Sequence, residues 1–273
     1  MNAGSAVADA ILAMGIPASA RVERRIPKTM LLEKAPATAT DRRAINDRVE
    51  ELTWLATLRP DNVGIHAYIE GDRDYREIAV LQLAVRPGKR AKASTSSKAG
   101  RNRLYELVHR AIPYPVVLWS TEADAAANAQ PLLTLAHKRL TQSAGTIVLD
   151  ELHTSACDAA TPRAEFIASL EIARRPYATL RDLYQGWIDC ITALHVSTIT
   201  TMYSAPSRAA FAEAQRQQLQ QHANTVRELA RLRAVANRES QINKRVELNT
   251  AIKAAEATVL ALTASLAQRD HKD

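Results

Sequence analysis

The chain has 273 residues and carries 36 Lys and Arg against 29 Asp and Glu, a formal charge of +7. The excess sits in one stretch: residues 86–103 hold Arg86, Lys89, Arg90, Lys92, Lys98, Arg101 and Arg103 and no acid, while the other 29 cations balance the 29 acids. An apolar content of 47% excludes wholesale disorder. Two cysteines, Cys157 and Cys190, exclude a disulfide scaffold or a CxxC metal site and point to a reducing cytoplasm.

Aromatic residues make up only 4%, so Ala, Leu, Ile and Val must fill the interior, which suits helices. Residues 1–14 read as a short amphipathic helix with Val7, Ala10, Ile11 and Met14 on one face. No cation precedes its apolar run, so it is not read as a signal peptide. No run of 18 apolar residues follows anywhere, and no membrane span is expected.

Pro27 biases Ile26 towards an extended conformation. From about Asp41, the positions Ile45, Val49, Leu52 and Leu55 predict a helix, which Arg59-Pro60-Asp61-Asn62 closes as a turn. Alternation of Val63, Ile65, Ala67 and Ile69 with polar residues predicts a half-buried strand. After a turn at Glu70-Gly71-Asp72, the almost continuously apolar Glu77 to Val85 predicts a central strand paired with it as a hairpin. Beyond the basic stretch, a helix is expected over residues 101–112 with Leu104, Leu107, Val108 and Ala111 inward. Buried strands follow at 116–119, 132–137 and 146–149, and a last strand at 166–172. Residues 123–129 and 157–163 read as loops.

From Thr179 the pattern turns helical. Thr179-x-x-Asp182 is a capping signal, and Leu180, Tyr184, Trp187, Ile191 and Leu194 share a face. After Pro206 come two long helices broken at 237–241. The first carries Leu219, Val226, Leu229 and Leu232; the second carries Leu248, Ile252, Ala255, Val259, Leu262 and Leu266 in steps of four and three. That spacing predicts a coiled-coil-like hairpin.

Four features bear on chemistry. The run Thr146 to His153, ending Asp150-Glu151-Leu152-His153, has the shape of a helicase ATPase motif. No GxxxxGK[ST] loop is present to cradle phosphates, so it reads as a strand and a polar turn. The order helix, hairpin, helix, strand is that of many Mg²⁺-dependent nucleases, with Asp72 or Asp74 and Glu77 as candidate acids. The expected acid-x-Lys is replaced by Leu81-Gln82-Leu83-Ala84, which favours a catalytically silent version. The seven histidines (His66, His109, His137, His153, His195, His222 and His271) show no metal spacing, and neither metal nor cofactor is expected. The seven cations Arg86, Lys89, Arg90, Lys92, Lys98, Arg101 and Arg103 are candidate phosphate contacts. With no aromatic among them, they offer salt-sensitive DNA affinity without base readout.

Arg25-Ile-Pro-Lys28, Trp54, Ala111-Ile-Pro-Tyr-Pro115 and Glu239-Ser-Gln-Ile-Asn-Lys-Arg-Val-Glu-Leu-Asn249 occur in this order. Together they resemble the bacterial domain-of-unknown-function family numbered 4391, from about Arg24 to Leu266. Members of that family are typically encoded beside DNA methyltransferases and helicases of restriction-modification or phage-defence clusters. The resemblance therefore implies a partner-dependent defence accessory, and it brings no catalytic residues. The second hairpin strand lacks the Lys that many members carry near its end, and the insertion over 86–103 is longer here.

The expected architecture is an α+β fold: a mixed β-sheet with flanking helices over 1–176, a connecting helix over 177–205, and a C-terminal helical hairpin over 206–273. The expected function is that of a non-enzymatic accessory that binds a helicase or methyltransferase. Leu248, Ile252, Val259, Leu262 and Leu266 are candidate partner contacts, and the basic loop adds nonspecific DNA affinity. The alternatives are a divergent or inactive Mg²⁺-dependent nuclease-like domain and a scaffold that self-associates through Leu248 to Leu266.

Overall fold

A computed structural model describes residues 3–35, 37–86, 98–122, 131–140, 147–155, 162–174 and 177–268. In chain order the elements are α1 (Ala3–Ala13), β1 (Arg21–Arg25), α2 (Lys28–Lys34), α3 (Ala39–Arg48), β2 (Val49–Leu58), α4 (Pro60–Val63), β3 (Tyr68–Glu70), β4 (Arg73–Tyr75), β5 (Ile78–Val85), α5 (Lys98–Ala111), β6 (Val116–Glu122), β7 (Leu132–Leu135), β8 (Lys138–Leu140), β9 (Ile147–Leu149), β10 (His153–Thr154), α6 (Arg163–Ser169), α7 (Leu180–Thr200), α8 (Ala209–Ala236) and α9 (Ile242–Leu266). The fold is α+β. A mixed six-stranded sheet has the order β1-β2-β5-β6-β7-β10, and two small hairpins, β3-β4 and β8-β9, stand beside it.

The chain divides into two compact units. One comprises Met1–Ala156 and Ile167–Ile188, the other Cys157–Phe166 and Asp189–Asp273. The division falls inside α7.

In the first unit β5 is a central strand, as its run, apolar but for Gln82, suggests. It pairs antiparallel with β2 and parallel with β6. One face of the sheet, with Leu52, Ala79, Leu81, Leu83, Val85, Val116 and Leu118, packs under Leu31 of α2, Ile45 of α3, and Leu104, Leu107, Val108 and Ala111 of α5. Val7, Ala10 and Ile11 of α1 and Met14 just after it are buried as their spacing predicts, and α1 lies against β6. The cap of α7 forms as its sequence indicates: Asp182 N donates to Thr179 Oγ1 (3.2 Å) and Thr179 N donates to Asp182 Oδ2 (3.1 Å).

The structure corrects several expectations. The helix expected to run through Leu55 stops at Arg48, and residues 49–58 form β2. Two register shifts in β2, between Val49 and Glu51 and between Trp54 and Ala56, explain the misreading. A bulge inserts one residue. It sets Val49 and Leu52 on one face three residues apart, a helical spacing produced by a strand. Residues 62–67 are not a strand, and of the expected span only Tyr68 and Ile69 fall in one, β3. Asn62 turns back to accept from Arg59 N (2.8 Å) and donate to Thr57 O (2.9 Å), and Gly64 ends α4 in the left-handed region (φ 70°). Burial ignores the alternation, since Ile65 is buried while Ile69 is 64% exposed. The partner of β5 is therefore β2, while β3 pairs with β4 across Gly71-Asp72.

The segment 146–149 supplies only the half-buried β9 of a small hairpin. In place of a strand at 166–172 the chain forms α6 and a 3-10 turn at Ile172–Arg174. The last strand of the large sheet is β10. The loop expected at 123–129, and all but the end of the one at 157–163, lie outside the described residues.

In the second unit, α8 and α9 pack as the expected hairpin. Leu229 and Leu266 are buried; Leu219, Leu232, Leu248, Ile252, Val259 and Leu262 are half-buried. Arg233 and Glu256 pair across it at 2.6 Å. Within the same unit Arg216 pairs with the buried Asp189.

An ion pair between the half-exposed Arg103 and the buried Asp41 ties α5 to the cap of α3. Asp41 accepts from Thr38 N (3.0 Å) and from Arg103 Nη2 (2.9 Å) and Nε (3.0 Å), and is 6% exposed. The Arg103 hydrogen bonds hold its carboxyl well below the usual carboxylate range. Breaking such a pair from one side strands a charge that has already lost its water. Arg103→Ala is therefore expected to cost about 2 kcal/mol of unfolding free energy in urea titrations. A loss below a few tenths would show that the pair is decorative.

Candidate functional site

Sheet topology gathers four segments. β1 runs antiparallel to β2 and β2 antiparallel to β5: Arg25 at the end of β1 lies opposite Thr53 within β2, Val49 at the start of β2 lies opposite Val85 at the end of β5, and β6 finishes beside β5. Arg25 closes β1, Lys28 opens α2, Arg48 precedes β2, and Arg86 follows β5. Arg86 N donates to Arg48 O at 2.7 Å, which locks the last two together. Lys28 is held below the usual lysine range by burial first, then by repulsion from Arg86 and Arg25, with Glu50 opposing. Arg25 has a loose 3.7 Å contact with Glu51. Among the described residues Arg25, Lys28 and Arg86 thus come together with Glu50 and Glu51 near the end of β5, with the Arg48 backbone tied to Arg86, and from this point the basic stretch continues in sequence.

Among the seven candidate DNA-contacting residues, Arg86 belongs to this cluster and is exposed. Arg101 is half-buried. Arg103 is consumed by Asp41 and, at 3.2 Å, by Glu106; it holds the fold and is not a free phosphate ligand. Lys89, Arg90 and Lys92 lie outside the described residues, as does the side chain of Lys98. Sequence reasoning missed Arg25, Lys28 and Arg48 because they are far from the charge run in the chain. Arg25 and Lys28 stood in a quoted motif, but nothing there placed them beside Arg86.

The candidate nuclease acids are otherwise engaged. Glu77 is buried, accepts from Arg59 Nε at 2.7 Å, and receives the Tyr114 hydroxyl. Asp74 is gripped by Arg76, with contacts of 2.6–3.1 Å. Asp72 sits in the β3-β4 turn. Asp150, of the helicase-like run, accepts from Arg73 and Arg139, each at 2.8 Å. Among the described residues no group of three or more His, Cys, Asp or Glu is placed to hold a metal.

A second cluster had no signal in the sequence. Arg73 hydrogen-bonds Tyr75, Tyr75 O–H meets His137 Nδ1, and His137 Nε2 lies 2.8 Å from Gln185 Oε1. With Gln185 accepting, Nε2 carries the proton and Nδ1 accepts from Tyr75, so the imidazole is neutral. Burial pushes His137 down to about 4 and Tyr75 up to about 12. Beside it, Lys138 is 5% exposed and donates to Ile112 O (2.8 Å) and Tyr114 O, capping the carbonyls at the end of α5. These groups tie the small hairpins and α7 to the sheet.

The geometry is that of a mixed-sheet α+β protein with a cationic strand end and a helical hairpin. The sequence pattern described as "Domain of unknown function (DUF4391)" matches residues 14–259, and the chain belongs to that family. No curated protein and no solved structure matches it. No described helix is long and apolar enough to cross a membrane.

The His137 shift has a defined sign. Its folded pKa of about 4 lies below the ordinary value near 6.5, so between these values the unfolded chain binds the proton first. Stability should fall as pH drops from about 6.5 to about 4. His137→Asn, although less stable at neutral pH, should show a flatter profile across that window in urea melts. Parallel profiles for the two proteins would rule out this role.

Proposed function

We propose that this protein is a non-enzymatic accessory of a bacterial restriction-modification or phage-defence complex. In this reading it engages a helicase or DNA methyltransferase and contacts DNA phosphates through the strand end that carries Arg25, Lys28, Arg48 and Arg86 and continues into the basic stretch. The observation that carries the DNA part is the approach of Arg25 and Arg86 to Lys28, from three separate segments, with the Arg48 backbone tied to Arg86 near the end of β5. In sheets with a parallel crossover, ligands favour the carboxyl ends of the strands. Lys28 is lowered first by burial and then by repulsion from Arg86 and Arg25, and an anion bound there would relieve the second of these. The defence setting and the choice of partner rest on the family resemblance.

A second reading has its own observation. α3, β2, β5, α5 and β6 run as helix, antiparallel pair, crossover helix and parallel strand, an order compatible with the nuclease-like alternative. Gln82 and Ala84 occupy the alternate positions of β5 where such an enzyme needs an acid and a lysine. The nuclease-like alternative is thus a DNA-binding form of that architecture with no lysine on β5 to activate water.

The test is DNA affinity against salt. Arg25→Ala/Lys28→Ala/Arg86→Ala should bind duplex DNA more weakly than the parent and reduce the slope of log K against log [salt] by about 0.9 for each phosphate that is no longer neutralised. Deleting residues 87–97 should weaken binding further. Equal binding with and without that stretch removes the loop from the proposal, and an unchanged triple variant removes the strand end. Co-purification with the helicase or methyltransferase encoded beside the gene tests the partner assignment.

A further inference from the structure

Helix α9 is apolar on two opposite faces. Leu248, Ile252, Ala255, Val259, Leu262 and Leu266 are half-buried or buried, the seam with α8. At about 100° per residue, Ile242, Val246, Ala257, Leu260 and Ala264 lie together about 150° from that seam. They point away from α8 and are open: Ile242 is 71%, Val246 60% and Leu260 72% exposed. Scattered exposed apolar residues need no explanation. Three large ones aligned with alanines on the back of one helix do, because a surface helix ordinarily carries a single apolar stripe.

We propose that this back face is the contact between two copies of the chain, with α9 packed antiparallel on α9 of the second copy. A two-fold contact must be complementary to itself, so residues on either side of the axis have to match. The face is nearly palindromic about Lys253. Ile242 falls opposite Ala264 of the second copy, Val246 opposite Leu260, and Asn249 opposite Ala257. Large thus meets small at the ends, and alanines let the helices approach closely.

Charge also favours this direction. Lys244 and Arg245 lie near the start of α9, whereas residues 257–266 hold no cation. Antiparallel pairing sets that basic end beside the negative end of the second copy's helix dipole. Parallel pairing would stack Lys244 and Arg245 of both copies. At the axis each Lys253 faces its copy, so its stem covers apolar surface while its ammonium reaches out to solvent.

Sedimentation velocity of the full chain over a wide micromolar range should show a reversible monomer–dimer equilibrium. Leu260→Glu and Val246→Glu should each weaken the dimer roughly tenfold or more, with helical circular dichroism unchanged. Under mild oxidation Lys253→Cys should give a cross-linked dimer that the parent does not, and Ile242→Cys should not. A chain that stays monomeric, or a dimer untouched by both glutamates, overturns the proposal. Self-linking by Ile242→Cys overturns the antiparallel direction. None of these results depends on DNA or on a second protein, so they stand apart from the accessory reading.

Discussion

Two parallel neighbouring strands cannot be joined by a tight turn, and the pairing of β5 with β6 imposes that constraint on the first unit. The chain must leave at the end of β5, cross the sheet, and return to the start of β6. The crossover is α5. Its inward face (Leu104, Leu107, Val108 and Ala111) covers β5 and β6 and meets α2 and α3 over the same surface. The Asp41–Arg103 pair fixes α5 against the cap of α3, and Lys138 satisfies carbonyls beyond the last turn of α5. The crossover helix is thereby held in its first half through Asp41 and beyond its last turn through the buried Lys138. Both strands finish at one end of the sheet, and Arg25, Lys28 and Arg86 come together near it.

Much of this was legible in the sequence. The almost continuous apolar run of β5, the inward positions of α5, the Thr179–Asp182 cap and the four-three spacing of α9 each follow from local physics that tertiary packing did not override. The failures have specific causes. In β2 bulges convert a two-residue period into a helical one. Around Asn62 a side chain satisfies backbone groups and closes a helical turn where alternation suggested a strand. β10, with two residues, is too short to carry a period at all.

The candidate site divides along the same line. The basic stretch stands out because its residues are adjacent in the chain. Arg103 belongs to it by position yet serves the core, a distinction that depends on Asp41, 62 residues away. Arg25, Lys28 and Arg48 join Arg86 only through strand pairing. Tyr75 and His137 likewise meet across 62 residues, and no spacing rule connects them. Burial alters the hairpin as well. The predicted contact stripe from Leu248 to Leu266 is the seam with α8, so the apolar surface left open is the opposite side of α9.

The chain is thus read as a protein of surfaces: a cationic strand end suited to phosphates and a helix back suited to its own copy. The sharpest check on the strand end is hydrogen exchange of the intact protein with and without a short DNA duplex. Exchange should slow in residues 24–28, 48–51 and 84–86, with the Tyr75–His137 region unchanged. Protection confined to other segments, or none at a DNA concentration that saturates binding, would refute the assignment of DNA contact to that end of the sheet.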